Sequence, residues 1–225
     1  MNDGRIGVFG GTFDPVHVGH LRAAEEAAEE LALERVLFVP SARPPHKTPH
    51  AEVIAPAAQR LAWVRLAVAD NPRFAVDPLE VERPGPSYLV ETLRTLGKRL
   101  GRERLVFLLG RDAFAEMATW REPETLLTLA DFAVLTRPPL REGGLARWIP
   151  AALAAPLELA PDGRSAAHRA AGTRILLVEI TALDVSSSEI RARLREGRSV
   201  RYLLPGAVLE EVVASGAYAG AGAAG

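Results

Sequence analysis

Gly10-Gly11-Thr12-Phe13-Asp14-Pro15-Val16-His17-Val18-Gly19-His20 gathers into eleven residues the groups in this sequence best suited to holding an anion. Gly10 and Gly11 let the backbone approach a phosphate closely. A helix opening just beyond them would aim unpaired N–H groups and the positive end of its dipole at the same place. His17 and His20 are three residues apart, so they share a face in a first helical turn, and Gly19 between them keeps that face unobstructed. The set suits an anion better than a hydride acceptor. Spacing argues against two other nucleotide-binding devices. The dinucleotide fingerprint G-x-G-x-x-G fails because Phe9 stands two residues after Gly7, where a second glycine is required. No G-x-x-x-x-G-K-[ST] loop occurs either.

The elements that must position this segment are legible as pattern. Ile6 to Phe9 reads as a first strand, delivering the glycines to its carboxyl end. From His17 to Leu31, helical spacing puts Leu21, Ala24, Ala28 and Leu31 on one face and Glu25, Glu26, Glu29 and Glu30 mostly off it. Arg35 to Val39 is a second strand, stopped by Pro40. Ser41 to Pro56 is proline-rich and reads as a long exposed loop, a kind that is often functional in compact domains. Ala57 to Ala69 is an amphipathic helix and Phe74 to Val76 a short strand. Pro86-Ser87 opens a helix with Leu89, Leu93, Leu96 and Leu100 on one side, and Ser87 is its expected N-cap. Leu105 to Leu109, Phe132 to Leu135 and Ile175 to Ile180 are further strands. Ser186 to Arg195 is a helix with Ser186 and Glu189 spaced as a capping box. A final helix runs from Pro205 to Gly216.

Strands alternating with helices predict a parallel sheet covered on both faces. The expected class is α/β: a Rossmann-like, doubly wound parallel sheet with a small C-terminal helical region at 186–216. Ligands of such sheets bind at the carboxyl ends of the strands, where the Gly10 to Val16 loop falls. We expect one domain over 1–216. Pro138 to Gly172, rich in Ala, Pro, Gly and Arg, reads as a surface excursion with a helix near Leu145 to Leu153. Ala217 to Gly225 reads as a flexible, frayed tail.

Bulk properties narrow the classes. At 225 residues and 48% hydrophobic content the chain can bury a sizeable core. The absence of cysteine excludes disulfides, thiolate nucleophiles and Cys-ligated zinc. A net charge of -1 gives no electrostatic footprint for DNA or RNA. Neither a signal-peptide pattern nor a stretch approaching the roughly 20 apolar residues of a membrane span is seen, so a soluble cytoplasmic protein without membrane partners is expected. Self-association into a homo-oligomer stays open.

Gly10 to His20, written G-G-T-F-D-P-x-H-x-G-H, resembles the signature of the nucleotidylyltransferase superfamily. Further segments resemble bacterial nicotinate-nucleotide adenylyltransferases in particular. They are Pro44-Pro45-His46-Lys47, Arg83 to Leu93 (RPGPSYLVETL), Gly110-Arg111-Asp112 with Trp120 eight residues beyond Asp112, Arg137-Pro138, and Val185 to Arg191 (VSSSEIR). Their order is right and they run from the first strand to the last helices.

The resemblance implies adenylyl transfer from ATP, with Mg2+, to nicotinate mononucleotide, giving nicotinate adenine dinucleotide and pyrophosphate in NAD biosynthesis. It implies that His17 and His20 hold the ATP phosphates, with Gly10, Gly11, Thr12 and Phe13 beside them. Turn formation is at least as good a reading of Asp14, before Pro15, as ligand contact. Ser186, Ser187, Ser188 and Arg191 are implied as a second anion site, for the β- and γ-phosphates. Lys47 is read as a mobile cation brought onto the phosphates, so that His17, His20, Lys47 and Arg191 form the catalytic set. Gly110 and Asp112 are assigned to the ATP ribose and adenine edge, although Asp112 would also serve as an N-cap. Trp120 resembles the aromatic that stacks on the nicotinate ring, and Tyr88, Leu89, Lys47 and Arg137 join it around the mononucleotide. Trp63 and Trp148 read as core or surface. In one departure, Leu89 follows Tyr88 where the family usually carries Thr, so a hydroxyl expected near the pyridine carboxylate is missing.

Two kinds of alternative compete with this reading. One is an adenylyltransferase acting on nicotinamide mononucleotide or phosphopantetheine. The other is a nucleotide-binding regulator that keeps the fold without turnover. A substrate panel separates them.

Overall fold

Four apolar segments pair in parallel through the middle of the sheet: β1 (Ile6–Gly11), β4 (Leu105–Gly110), β5 (Asp131–Thr136) and β8 (Arg174–Glu179). β1 runs parallel to β4, with Ile6 opposite Leu105 and Phe9 opposite Leu108, and β4 to β5 and β5 to β8 are also parallel. The strands of β5 and most of β4 are buried along their length, which is why they read as continuous apolar runs rather than as alternation. With β2 (Arg35–Pro40), β3 (Phe74–Val76), β6 (Leu157–Leu159) and β7 (Ser165–His168), the order is β3-β2-β1-β4-β5-β8-β7-β6. The order reverses direction at the β1/β4 pair. That switch point is where open α/β sheets bind ligands, and Gly10 and Gly110 lie at its carboxyl edge. The expected α/β, Rossmann-like class is what the chain adopts.

The computed structural model describes residues 4–44, 55–100, 105–136, 144–181 and 183–219. The chain divides into two compact units, one of 1–10, 23–37 and 88–182, the other of 11–22, 38–87 and 183–225. Among the described residues no helix is long and apolar enough to cross a membrane.

The first unit is built on β1, β4, β5 and β8. α1 (Val18–Glu30) contributes its later turns, and its buried face consists of Ala23, Ala24, Ala27 and Ala28. Leu21 and Leu31, expected on that face, are only half-buried. Alanines allow a closer approach than leucines would, so the small side chains form the contact. α4 (Leu89–Leu100) buries Val90, Leu93 and Leu96, each worth roughly 1.5–3 kcal/mol relative to exposure. The short helices α5 (Arg111–Ala115) and α6 (Pro123–Leu129) carry too few turns to show a period; the sequence offers only a cap at Asp112 for the first and no signal for the second.

The stretch at 138–172 is not simply a surface excursion. Its described part forms α7 (Gly144–Trp148), a 3-10 turn at Ala151–Leu153, and the antiparallel pair β6–β7, which extends the sheet through β7 and β8. Leu145, Leu153 and Ala166 are buried there. A three- or four-residue strand rich in alanine has no apolar run to announce it, so its pairing is set by the neighbouring strand.

The second unit packs α2 (Ala57–Val68), α3 (Leu79–Glu82), α8 (Ser187–Arg195) and α9 (Gly206–Ser215) with the Gly11 to Arg22 segment. α9 ends at Gly216, whose φ of 61 supplies the left-handed cap. Ser87 does not cap α4. Its hydroxyl oxygen accepts instead from the N–H groups of Ala42 (3.0 Å) and Arg43 (3.3 Å). The tail expected to fray does not begin at Ala217, because Tyr218 is 5% exposed and packs against Trp63, ring centroids 5.9 Å apart.

Candidate active site

The Gly11 to His20 segment turns back on itself within the second unit. Phe13 has φ 50, a conformation few non-glycine residues adopt, and its ring is buried edge-on to His20 at 5.1 Å. The rings of His17 and His20 stack at 3.7 Å. A Cβ at Gly19 would stand 3.1 Å from His17 Nδ1, so glycine is what lets the first ring lie against the helix start.

The backbone N–H of His17 donates to His20 Nδ1 at 3.2 Å, which leaves the His20 ring to carry its proton on Nε2 when neutral. Burial holds the His17 imidazole at about 4, below its ordinary 6.5. Burial first, and the charge of His17 second, hold His20 well below its ordinary value. His20 keeps some accessible surface, but Phe13 and His17 cover its ring. Both imidazoles are therefore neutral at pH 7. His17 Nδ1 is buried with no hydrogen-bond partner among the described residues.

The helix start is less open than its sequence suggests. Two of its first N–H groups are already engaged, His17 with the His20 ring and Val18 with the carbonyl of Leu203 at 3.0 Å.

α8 meets the same segment through Asp14. The Ser186 hydroxyl oxygen caps the helix, accepting from Glu189 N–H at 3.1 Å, as the spacing required. Ser187 donates its hydroxyl to the Pro15 carbonyl at 3.0 Å. Arg191, buried in the helix's second turn, donates Nη1 to the Asp14 carbonyl at 2.8 Å and Nη2 to Ser188 Oγ at 3.1 Å. Its Nη1 also lies 3.6 Å from Asp14 Oδ2. The three serines thus differ: one caps, one ties the loop, and Ser188 is exposed with its own proton still to give. The N–H groups of the first turn of α8 have no helical partners of their own.

Asp14 and Arg60 are the residues whose weight the sequence pattern understates. Asp14 is 1% exposed, and its Oδ1 accepts from Ala55 N–H at 3.0 Å and from the Tyr218 hydroxyl. Arg60, also 1% exposed, donates to the carbonyls of Ala55, Thr12 and Ala42. One signal for Arg60 was available. It falls on the buried stripe of α2 with Val64, Ala67 and Val68, where an arginine is out of place unless it has partners. Tyr218 carried a fainter signal, as the one aromatic in an Ala/Gly-rich tail.

The first unit holds the other expected residues. Gly110 is exposed and a Cβ there would meet open space, so its glycine is not demanded by packing. Asp112 is exposed inside the first turn of α5, and the N-cap of that helix is Gly110, so capping is not its role. Trp120 is half-buried at the end of a 3-10 turn, Met117–Thr119. The next residue, Arg121, lays its guanidinium over the Tyr88 ring at 4.6 Å, tying the Trp120 segment to the start of α4. Leu89 is half-buried as the first residue of α4. Trp63 is core, and Trp148 carries the guanidinium of Arg111 over its ring at 5.0 Å. Pro45, His46, Lys47, Arg137 and Pro138 lie outside the described residues. Among the described residues no group of three or more His, Cys, Asp or Glu could hold a metal ion.

The cytidylyltransferase-like family model matches residues 8–193, most of the chain. A Thermus thermophilus protein named probable nicotinate-nucleotide adenylyltransferase is 44% identical over 216 residues, 95% of this chain and 99% of its own. The chain belongs to the nicotinate-nucleotide adenylyltransferase family. A Geobacter sulfurreducens relative of the same name is 42% identical over 204 residues, covering 91% of this chain and 93% of its own. Among solved structures, the Plasmodium falciparum nicotinic acid mononucleotide adenylyltransferase complexed with NaAD has a TM-score of 0.71 at 16% identity, covering 95% of this chain and 97% of that one. At that identity the likeness is one of fold.

Proposed function

We infer that the chain transfers the adenylyl group of ATP to nicotinate mononucleotide, forming nicotinate adenine dinucleotide and releasing pyrophosphate in NAD biosynthesis. The observation that carries this reading is the joining of the two anion-binding segments, Gly11 to His20 and Ser186 to Arg191, by Asp14 and Arg191 in one buried arrangement.

The mononucleotide phosphate attacks the α-phosphorus of ATP in line, and the bond to the β-phosphate oxygen breaks. The nucleophile is already an anion, so no general base is needed, and catalysis consists of positioning and charge stabilisation. ATP enters as its Mg2+ complex, the ion travelling with the substrate. His20 donates its Nε2–H to a phosphate oxygen, and His17 lies stacked beside it. Gly10, Gly11, Thr12 and Phe13 contribute backbone around the phosphates. Ser188 and the first N–H groups of α8 receive the β- and γ-phosphates, with Arg191 fixing their position from behind. Lys47 supplies a further cation by resemblance alone.

In the first unit, Gly110 and Asp112 take the ribose and adenine edge. Trp120, Tyr88, Leu89 and, by resemblance, Arg137 take the mononucleotide. Leu89 offers no side-chain hydroxyl, so the pyridine carboxylate depends on backbone N–H groups at the start of α4.

Pyrophosphate release from MgATP tests the reading, with nicotinate mononucleotide, nicotinamide mononucleotide and phosphopantetheine offered side by side. Release with nicotinate mononucleotide at the highest catalytic efficiency is expected. Release with none of the three, while ATP still binds, would indicate a regulator. Trp120→Ala should raise the KM of the mononucleotide roughly tenfold and leave that of ATP little changed. An equal rise in both would make Trp120 a packing residue.

A further inference from the structure

Tyr218 follows the last helix by three residues, in a segment whose composition gives it no function, yet its hydroxyl ends on the carboxylate that joins the two phosphate-binding segments. Asp14 Oδ1 accepts from both Tyr218 and Ala55, while Oδ2 lies 3.6 Å from Arg191 Nη1 and has no hydrogen-bond partner among the described residues. Two donors converging on one oxygen fix the rotation of the carboxylate. They thereby aim the second oxygen at the guanidinium. Arg191 in turn holds Ser188 Oγ at 3.1 Å and the Asp14 carbonyl at 2.8 Å. The chain of contacts runs from a tail residue to the exposed hydroxyl at the start of α8 in three steps. Burial, then the bond to Asp14, push the phenol far above its ordinary range, so it remains a donor at any working pH. The ring itself is held separately, against Trp63.

We propose that Tyr218 is a positioning residue for adenylyl transfer, its hydroxyl setting the Asp14 carboxylate and, through it, Arg191 and Ser188. The proposal rests on the reading of α8 as a phosphate site. A misplacement of about 1 Å in such a site costs up to a hundredfold in rate. Removing the hydroxyl leaves the ring packing intact, so its effect falls on geometry.

The test compares the full-length chain with Tyr218→Phe, Tyr218→Ala, Asp14→Asn and the Tyr218→Phe/Asp14→Asn double variant, using MgATP and nicotinate mononucleotide. Tyr218→Phe should lower kcat roughly tenfold, with the mononucleotide KM within about twofold of the parent. The double variant should be no slower than Asp14→Asn within about twofold, because both changes break one linkage. A packing role predicts the reverse, a silent Phe variant and an impaired Ala variant. A Tyr218→Phe kcat within about twofold of the parent overturns the proposal, and so do losses that multiply in the double variant. If the parent turns over none of the substrates, the functional reading fails by itself. The positioning claim is then decided by the MgATP dissociation constant, which Tyr218→Phe must weaken about tenfold for the claim to stand.

Discussion

The two units hold their polar groups in opposite ways. In the second unit, Asp14, Arg60, Arg191 and Tyr218 are all buried, and each is tied to backbone or to another member. In the first unit, Gly110 and Asp112 are exposed, and the neighbouring restraints lie at the surface: Arg121 over Tyr88, and Arg94 in a two-bond pair with Glu122 at 3.2 and 2.6 Å. Buried charges lose much when a partner goes, whereas exposed pairs are screened by water and salt. The region around Asp14 and Arg191 is therefore built to hold one geometry. The surface of the first unit can adjust at little cost, in keeping with the nucleoside and ring contacts proposed for it.

Removing a buried member should show the largest effect. Arg60→Met leaves three carbonyl acceptors without their donor and takes a positive charge away from Asp14. A loss on the order of 3–5 kcal/mol is expected in denaturant unfolding. A loss below about 1 kcal/mol would show that the network is not rigid. His20→Ala comes next. It should lower kcat on the order of 100-fold in the pyrophosphate assay, since it acts on transition-state charge. Unchanged turnover would make the stacked pair structural.

The third effect is one of pH. His17 titrates near 6.5 when unfolded but at about 4 in the native chain. The unfolded state therefore binds more protons across that window, and stability should fall as the pH drops from 6.5 toward 4 and level off below it. His20 is shifted in the same direction and adds to the fall. A His17→Gln/His20→Gln double variant should flatten this part of the profile, and an unflattened profile would place the titrating groups elsewhere. The smallest effect belongs to the first unit. Arg94→Ala should leave the unfolding midpoint unchanged within error, whereas a clear loss would erase the contrast between the units.

Much of the second unit's chemistry is legible in the linear order of its residues. The glycine–histidine segment, the Ser186 cap with Glu189, and Arg191 one turn on are local in sequence, and helical spacing is enough to bring each group's members together. The apolar strands are legible for the same reason, since burial on both faces writes a continuous run. What escapes is non-local. Ser87 has the type and position of a cap, but the backbone of Ala42 and Arg43 claims its oxygen. The β6–β7 pair has weak strand patterning and is strand because β8 offers it an edge.

By itself, the sequence determined the α/β class, through composition and period, and the family, through the resemblance of its motifs. Only the tertiary structure decided that Ser187 is spent on Pro15, that Arg191 faces Asp14, and that a tyrosine 204 positions away completes the carboxylate. Those contacts join segments distant in the chain. Their value comes from exclusion of water, which a linear pattern does not record.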